Sequence, residues 1–208
     1  MSDGDAEDRD LRAQRRTWVT GGVLLLLSAI FVVAARGPLA GIHMVDEWLF
    51  AAACVVFAIG IGHAGSVTRR RIIGTVAIIL LVLAPTTQAY WYSFVPEDTG
   101  NPHEIEDIST LVAMTYYGVV IVLAIIAVVE IARAKVVPSP WRWAPLWVLI
   151  WTPIVFGIGL MLFSSAALGT MPASIGAMLA GYGPTAGVAF LGVLGVVLGV
   201  RQRREWES

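Results

Sequence analysis

The sequence predicts an all-α integral membrane protein: a six-transmembrane-helix bundle, both termini inside, with two inverted halves of three helices each. Three observations carry this. Of the 208 residues, 57% are hydrophobic and 14% charged, where a soluble domain runs near a quarter charged. Six apolar stretches are long enough for a bilayer core, which takes about 20 helical residues. The basic residues fall on alternate loops. This composition, with a mean hydropathy of +0.76, excludes soluble enzymes, nucleic-acid binders and disordered chains.

A polar cytoplasmic tail, 1–16, precedes the first span, 17–35. The tail opens with Asp3, Asp5, Glu7, Asp8 and Asp10, the wrong sign for a signal peptide. Arg36, Gly37 and Pro38 follow the span without a small-residue cleavage pattern, so it reads as a retained helix. The second span, 48–65, is the least defined, because Gly60, Gly62 and His63 dilute its end. The third is 72–95 and the fourth 109–132. The fifth, 145–165, is entered through Pro138–Trp143. The sixth, 174–200, leads into a cytoplasmic tail, 201–208. Together 17–200 form one transmembrane domain, helical because lipid offers no partner to unpaired backbone groups.

Arg9, Arg12, Arg15 and Arg16 precede span one. Arg69, Arg70 and Arg71 lie between spans two and three. Arg133, Lys135 and Arg142 lie between four and five, and Arg201, Arg203 and Arg204 follow six. The opposite loops hold only Arg36 among the basic residues, and carry Asp46, Glu47, Glu97, Asp98, Glu104, Glu106 and Asp107. The positive-inside rule then places both termini in the cytoplasm of a multi-pass plasma-membrane protein. Trp18, Trp48, Trp91, Trp141, Trp143 and Trp147 sit near span ends, as an interfacial aromatic belt does. The single cysteine, Cys54, excludes an internal disulfide.

Paired interruptions are the most suggestive chemistry. Span three carries Pro85, Thr86, Thr87 and Gln88, and span six carries Pro184 and Thr185. A helix-interior proline frees a carbonyl one turn earlier. Interruptions at corresponding places in inverted halves point to a midplane substrate site. Proline is also ordinary in membrane helices, and Pro153 interrupts span five as well.

An acidic outer rim offers a second site. His43, Asp46, Glu47, His103, Glu104, Glu106 and Asp107 form a candidate divalent-metal set, since imidazole and carboxylate suit zinc, copper, manganese or iron. The bland reading is helix capping: Asp46 and Glu47 favour the dipole of span two, and Asp107 and Ser109 look like caps of span four. His63 reads as an interfacial residue beside the arginines. Glu130, three residues from Arg133, reads as an i,i+3 ion pair, with proton coupling as the sharper alternative. Tyr90, Tyr92, Thr115, Tyr116 and Tyr117 are candidate linings of an outward vestibule.

Gly183, Gly187, Gly195 and Gly199 make a helix-packing face on span six, for use within the bundle or in self-association. Metalloprotease, hydrolase, P-loop and dinucleotide motifs are absent. With no enzyme signature, the leading expectation is a non-catalytic subunit or accessory component of a larger membrane complex. A small-solute or ion transporter or channel comes second, and a metal-dependent enzyme at the outer face third. The expected partners are the lipid bilayer, other membrane subunits or a second copy through helix six, and no nucleic acid.

Overall fold

The computed structural model describes residues 3–35, 45–61, 66, 72–96, 102–134, 141–165 and 170–204. Among them every regular element is helical: α1 (Asp3–Ala35), α2 (Val45–Ile59), α3 (Ile72–Tyr92), α4 (Pro102–Ala134), α5 (Ala144–Ser165) and α6 (Met171–Arg204). A short 3-10 turn, Trp141–Trp143, leads into α5. Five of these, all but α2, are long and apolar enough to cross a membrane. At about 1.5 Å per residue, the 15 residues of α2 reach only about 22 Å, against a hydrocarbon core of about 30 Å.

The helices follow one another around a ring in chain order. α1 packs against α2 and α6, α2 against α3, α3 against α4, and α5 against α6; only a thin contact joins α4 to α5. Neighbours run antiparallel, as Ser28 meets Asp46 and Thr17 meets Ile61 across α1–α2. One end of the bundle therefore gathers the acidic helix ends and the other the arginine-rich ends. Large apolar side chains face outward, with Ile72 80%, Met161 73% and Trp147 68% exposed. Water would not tolerate so much exposed apolar surface, but lipid does. The chain is thus built as a multi-pass membrane protein.

Small residues set the tightest crossings. A Cβ added at Gly22 of α1 would lie 2.7 Å from the Gly192 carbonyl oxygen of α6, and one at Gly192 would lie 2.9 Å from that of Gly22. Gly159 of α5 and Gly176 of α6 approach each other in the same way. Without a hydrophobic drive between helices in lipid, such close contact supplies the packing energy. All four predicted glycines are used inside the chain. Gly183 faces Val155 and Gly187 faces Val148 of α5; Gly195 faces Gly22, Phe57 and Trp18, and Gly199 faces Val19 and Trp18.

Several boundaries differ from expectation. Residues 3–16, expected as a polar tail ahead of span one, are helical and continue α1 outward. Acids lead and arginines follow there, the order that the helix dipole and i,i+4 pairing favour. α2 runs Val45–Ile59 instead of 48–65, because Gly60 takes φ 78°, a left-handed C-terminal stop, and its N–H donates to the Val56 carbonyl at 2.9 Å. α4 starts at Pro102, whose missing N–H is harmless in a first turn. Asp107 and Ser109 are therefore not caps: they lie inside the helix, and Ser109 Oγ donates to the Glu106 carbonyl at 2.9 Å. α6 starts at Met171 and runs on to Arg204.

The tryptophan belt also needs one correction. Trp48, Trp141, Trp143 and Trp147 are exposed, but Trp18 is only 6% exposed. It packs edge-on against Phe57 at 5.9 Å, with Leu194, Leu198 and Ile131 around the same cluster. Four helices meet there and fill the arginine-side half of the ring.

Gly22→Val should cost roughly 2 kcal/mol or more by overpacking the α1–α6 crossing. Gly118, with nothing within 4 Å of an added Cβ, is the control. Gly118→Ala should hold or raise the thermal unfolding midpoint in detergent, where Gly22→Val lowers it. Equal midpoints for the two variants would contradict the crossing.

Candidate functional site

A partly open cleft of about 420 Å³ lies in the acidic half of the ring, walled by α1, α2, α3 and α6. Its lining includes Pro85 and Thr86 of α3 and Pro184 and Thr185 of α6. The two interruptions, about a hundred residues apart in the chain, thus border one space. Thr87 and Gln88 do not line it. Thr87 Oγ1 donates instead to the Ala84 carbonyl at 2.8 Å, and Thr86 Oγ1 to that of Leu83 at 2.7 Å. Both hydroxyls serve backbone carbonyls in the turn around Pro85, as threonine does in helices broken by proline.

The first turns of α2 form the opposite wall, with Asp46, Glu47, Trp48 and Phe50. Sequence reasoning assigned Asp46 and Glu47 to an outer rim. The structure sets them lower. Ser28 of α1 donates its Oγ–H to the Asp46 carbonyl at 2.9 Å, and α1 continues to Ala35. The start of α2 is thus recessed by seven residues, about 10 Å of helical rise, below the end of α1. Asp46 Oδ1 is buried and has no hydrogen-bond partner among the described residues. Ser28 and Trp48 escaped notice as site residues; a serine in the middle of an apolar span and an unusually short second helix were the available signals.

The arginine-side end of α2 is held just as firmly. The Ile61 N–H donates to Thr17 Oγ1 at 2.7 Å, Thr17 Oγ1 donates to the Ala13 carbonyl at 3.0 Å, and Ser66 Oγ donates to the Ala58 carbonyl at 2.6 Å. Thr17 is fully buried. Beneath the cleft on this side lies the Trp18–Phe57–Leu198 cluster, ten residues from Ser28 along α1.

The other candidates resolve differently. Among the described residues no three of His, Cys, Asp and Glu come together as a metal site. His103, Glu104, Glu106 and Asp107 are exposed on the first turns of α4, and none of them borders the cleft. His43 and His63 lie outside the described residues. Glu130 pairs with Arg133 at 3.3 Å. The tyrosines divide: Tyr116 is buried and its hydroxyl donates to the Ala84 carbonyl at 3.0 Å, tying α4 to α3, while Tyr90 and Tyr117 are exposed. Tyr116 also meets Trp91 and Tyr117 edge-on. Tyr116 is a helix-to-helix brace, and none of these residues lines the cleft.

Comparison with protein-family models, with characterised proteins and with solved structures finds no match. The chemistry of the cleft therefore stands on its own residues: two carboxylates, three hydroxyls (Ser28, Thr86, Thr185) and two aromatic rings set in an aliphatic wall.

One-sided access is the expected consequence. In a Cys54→Ala background, Thr185→Cys should react with a small membrane-impermeant thiol reagent applied to the acidic side. Leu198→Cys, at a buried position, should resist the reagent from both sides. Labelling of both positions at equal rates would contradict a cleft closed at its arginine-side end.

Proposed function

We propose that this chain is a small-solute transporter or channel of the plasma membrane, with both termini cytoplasmic, and that the cleft among α1, α2, α3 and α6 is its substrate site. The observation that carries this reading is the meeting of Pro85–Thr86 and Pro184–Thr185 on one cavity. Both helices run on through their prolines, and a proline inside a helix leaves the carbonyl one turn earlier without its N–H partner, backbone polarity that a cavity between membrane helices can offer to a ligand. The short, recessed α2 adds a helix N-terminus to the same space. The cleft is backed on the arginine side by the four-helix apolar cluster, the form of a site open toward one face and gated toward the other. Substrate passage then requires that cluster to part, with Trp18 and Phe57 as the moving contacts.

The subunit reading ranks second on the same evidence. One of its sequence supports was the glycine face of α6, and those glycines are occupied by α1 and α5 of the same chain. A partner would have to use the outward faces of α4 and α5, where the contact between neighbours is thinnest.

The test is flux through the purified chain in liposomes, across a panel of small amines, carboxylates and alcohols. At least one class should move faster than in protein-free vesicles, and Thr185→Trp, which fills the cleft, should return that flux to background. If no class moves, or if Thr185→Trp conducts like the parent, the transport reading fails. Stoichiometric partner chains on native extraction would then favour the subunit reading.

A further inference from the structure

We propose that the cleft takes a small organic cation, an amine or quaternary ammonium carrying an apolar body. This rests on the reading of the cleft as the substrate site and names the class of substrate. Charge is the first ground. Asp46 and Glu47 line the space, and among the described residues no Lys, Arg or His does. A carboxylate held in a largely apolar, lipid-embedded wall is costly unless something positive neutralises it.

The hydrogen-bond inventory points the same way. A hydroxyl carries one proton. Ser28 has given its proton to the Asp46 carbonyl, and Thr86 has given its own to that of Leu83. Both are left with lone pairs only, so toward a ligand they can accept and not donate. Asp46 Oδ1 is a further acceptor, buried and unpartnered among the described residues. Donors remain in the Thr185 hydroxyl, the Trp48 indole N–H and the first backbone N–H groups of α2, and Asp46 and Glu47 already offset the partial positive charge of that helix end. An anion would meet two carboxylates, whereas an ammonium group meets complementary partners.

The rest of the wall selects an organic ion over a bare one. Trp48 is 72% exposed, leaving its indole open to a cation, the strongest of the cation–π partners. Aliphatic residues such as Val82 and Val188 supply a surface for an apolar body. The volume of about 420 Å³ falls in the range of small-molecule sites. A metal ion would instead need about six oxygen ligands within roughly 2.6 Å, and the described residues bring no three such acidic or imidazole groups together.

Three probes sharing one phenyl ring test this: benzyltrimethylammonium, benzyl alcohol and benzoate. Equilibrium binding is measured to the full chain in nanodiscs, with empty nanodiscs and the cleft-filling Thr185→Trp variant as blanks. Only the cation should bind above these blanks. Asp46→Asn should weaken it by roughly tenfold or more, as loss of a desolvated charge partner does, and Glu47→Gln should weaken it less, since Glu47 is exposed. Circular dichroism and gel filtration establish that each variant is folded, and Glu47→Gln carries the test if Asp46→Asn is not. Saturable binding of benzoate or benzyl alcohol as tight as the cation's overturns the proposal. So does the absence of cation binding, indifference to both substitutions, or displacement of the cation by millimolar sodium, which would mark an inorganic-ion site. The liposome assay separates the two readings. Cation binding without flux removes the transport reading alone, and flux of an anion or neutral solute without cation binding removes this inference alone.

Discussion

The close crossing of α1 and α6 at Gly22 and Gly192 is the constraint on which the rest of the ring depends. It joins the first helix to the last, and only because neither residue has a side chain can the two backbones meet. In lipid, apolar side chains gain nothing by leaving one hydrocarbon surface for another, so association relies on packing at short range. With α1 seated on α6, Pro184 and Thr185 turn toward the same interior as Ser28. The remaining glycines of α6 then seat α5 on its other flank, through Val148 and Val155. One small-residue helix thus positions half the bundle.

α2 does the complementary work by being short. Gly60 ends it at one side, and Ser28 holds its first turn at the other. Its backbone is anchored to α1 by two hydroxyls, Ser28 and Thr17, near opposite ends. A bond between buried polar groups matters more for the cost of losing it than for its net gain. In a membrane that cost fixes depth: α2 cannot slide along α1 without orphaning the Ser28 hydroxyl or the N–H at Ile61. Both carboxylates are thereby kept below the rim on the cleft wall, and the buried Oδ1 of Asp46 is screened less by solvent than at an open helix end.

The bundle consequently has two unlike halves. Toward the arginine-rich end, Trp18, Phe57, Leu194, Leu198 and Ile131 fill the space between four helices. Toward the acidic end, proline interruptions and a truncated helix leave room, and the polar atoms there are mainly acceptors. A second apolar cluster, Ala58, Ala77, Ile78 and Ala127, binds α2, α3 and α4. Tyr116 braces α4 to α3 beside the Pro85 turn through the Ala84 carbonyl. The interrupted part of α3 is therefore supported from behind by a ring and a hydrogen bond while its front borders the cleft. Support of this kind lets a proline-bearing helix keep a fixed shape around a ligand.

Sequence alone determined the helical class, five long apolar helices, the glycine face of α6 and the Glu130–Arg133 pair. Each follows from local rules: hydropathy over a window, the period of a helix, or two charges three residues apart. It also named Pro85, Thr86, Pro184 and Thr185 together, because a proline inside an apolar span is visible without coordinates. Only the tertiary structure decided that these four border one cavity and that Thr87 and Gln88 do not, since that depends on helix rotation. Single-chain hydropathy fixes the length of a span but not the azimuth of its residues. Asp46 and Glu47, expected on an outer rim, stand on the cleft wall for a similar reason: the depth of α2 is set by Ser28, Thr17 and Gly60, contacts between distant or backbone-strained residues. Trp18 left the interfacial belt because three other helices converge on it. What a residue can do was legible in the sequence; what it stands next to was settled by close packing between helices far apart in the chain.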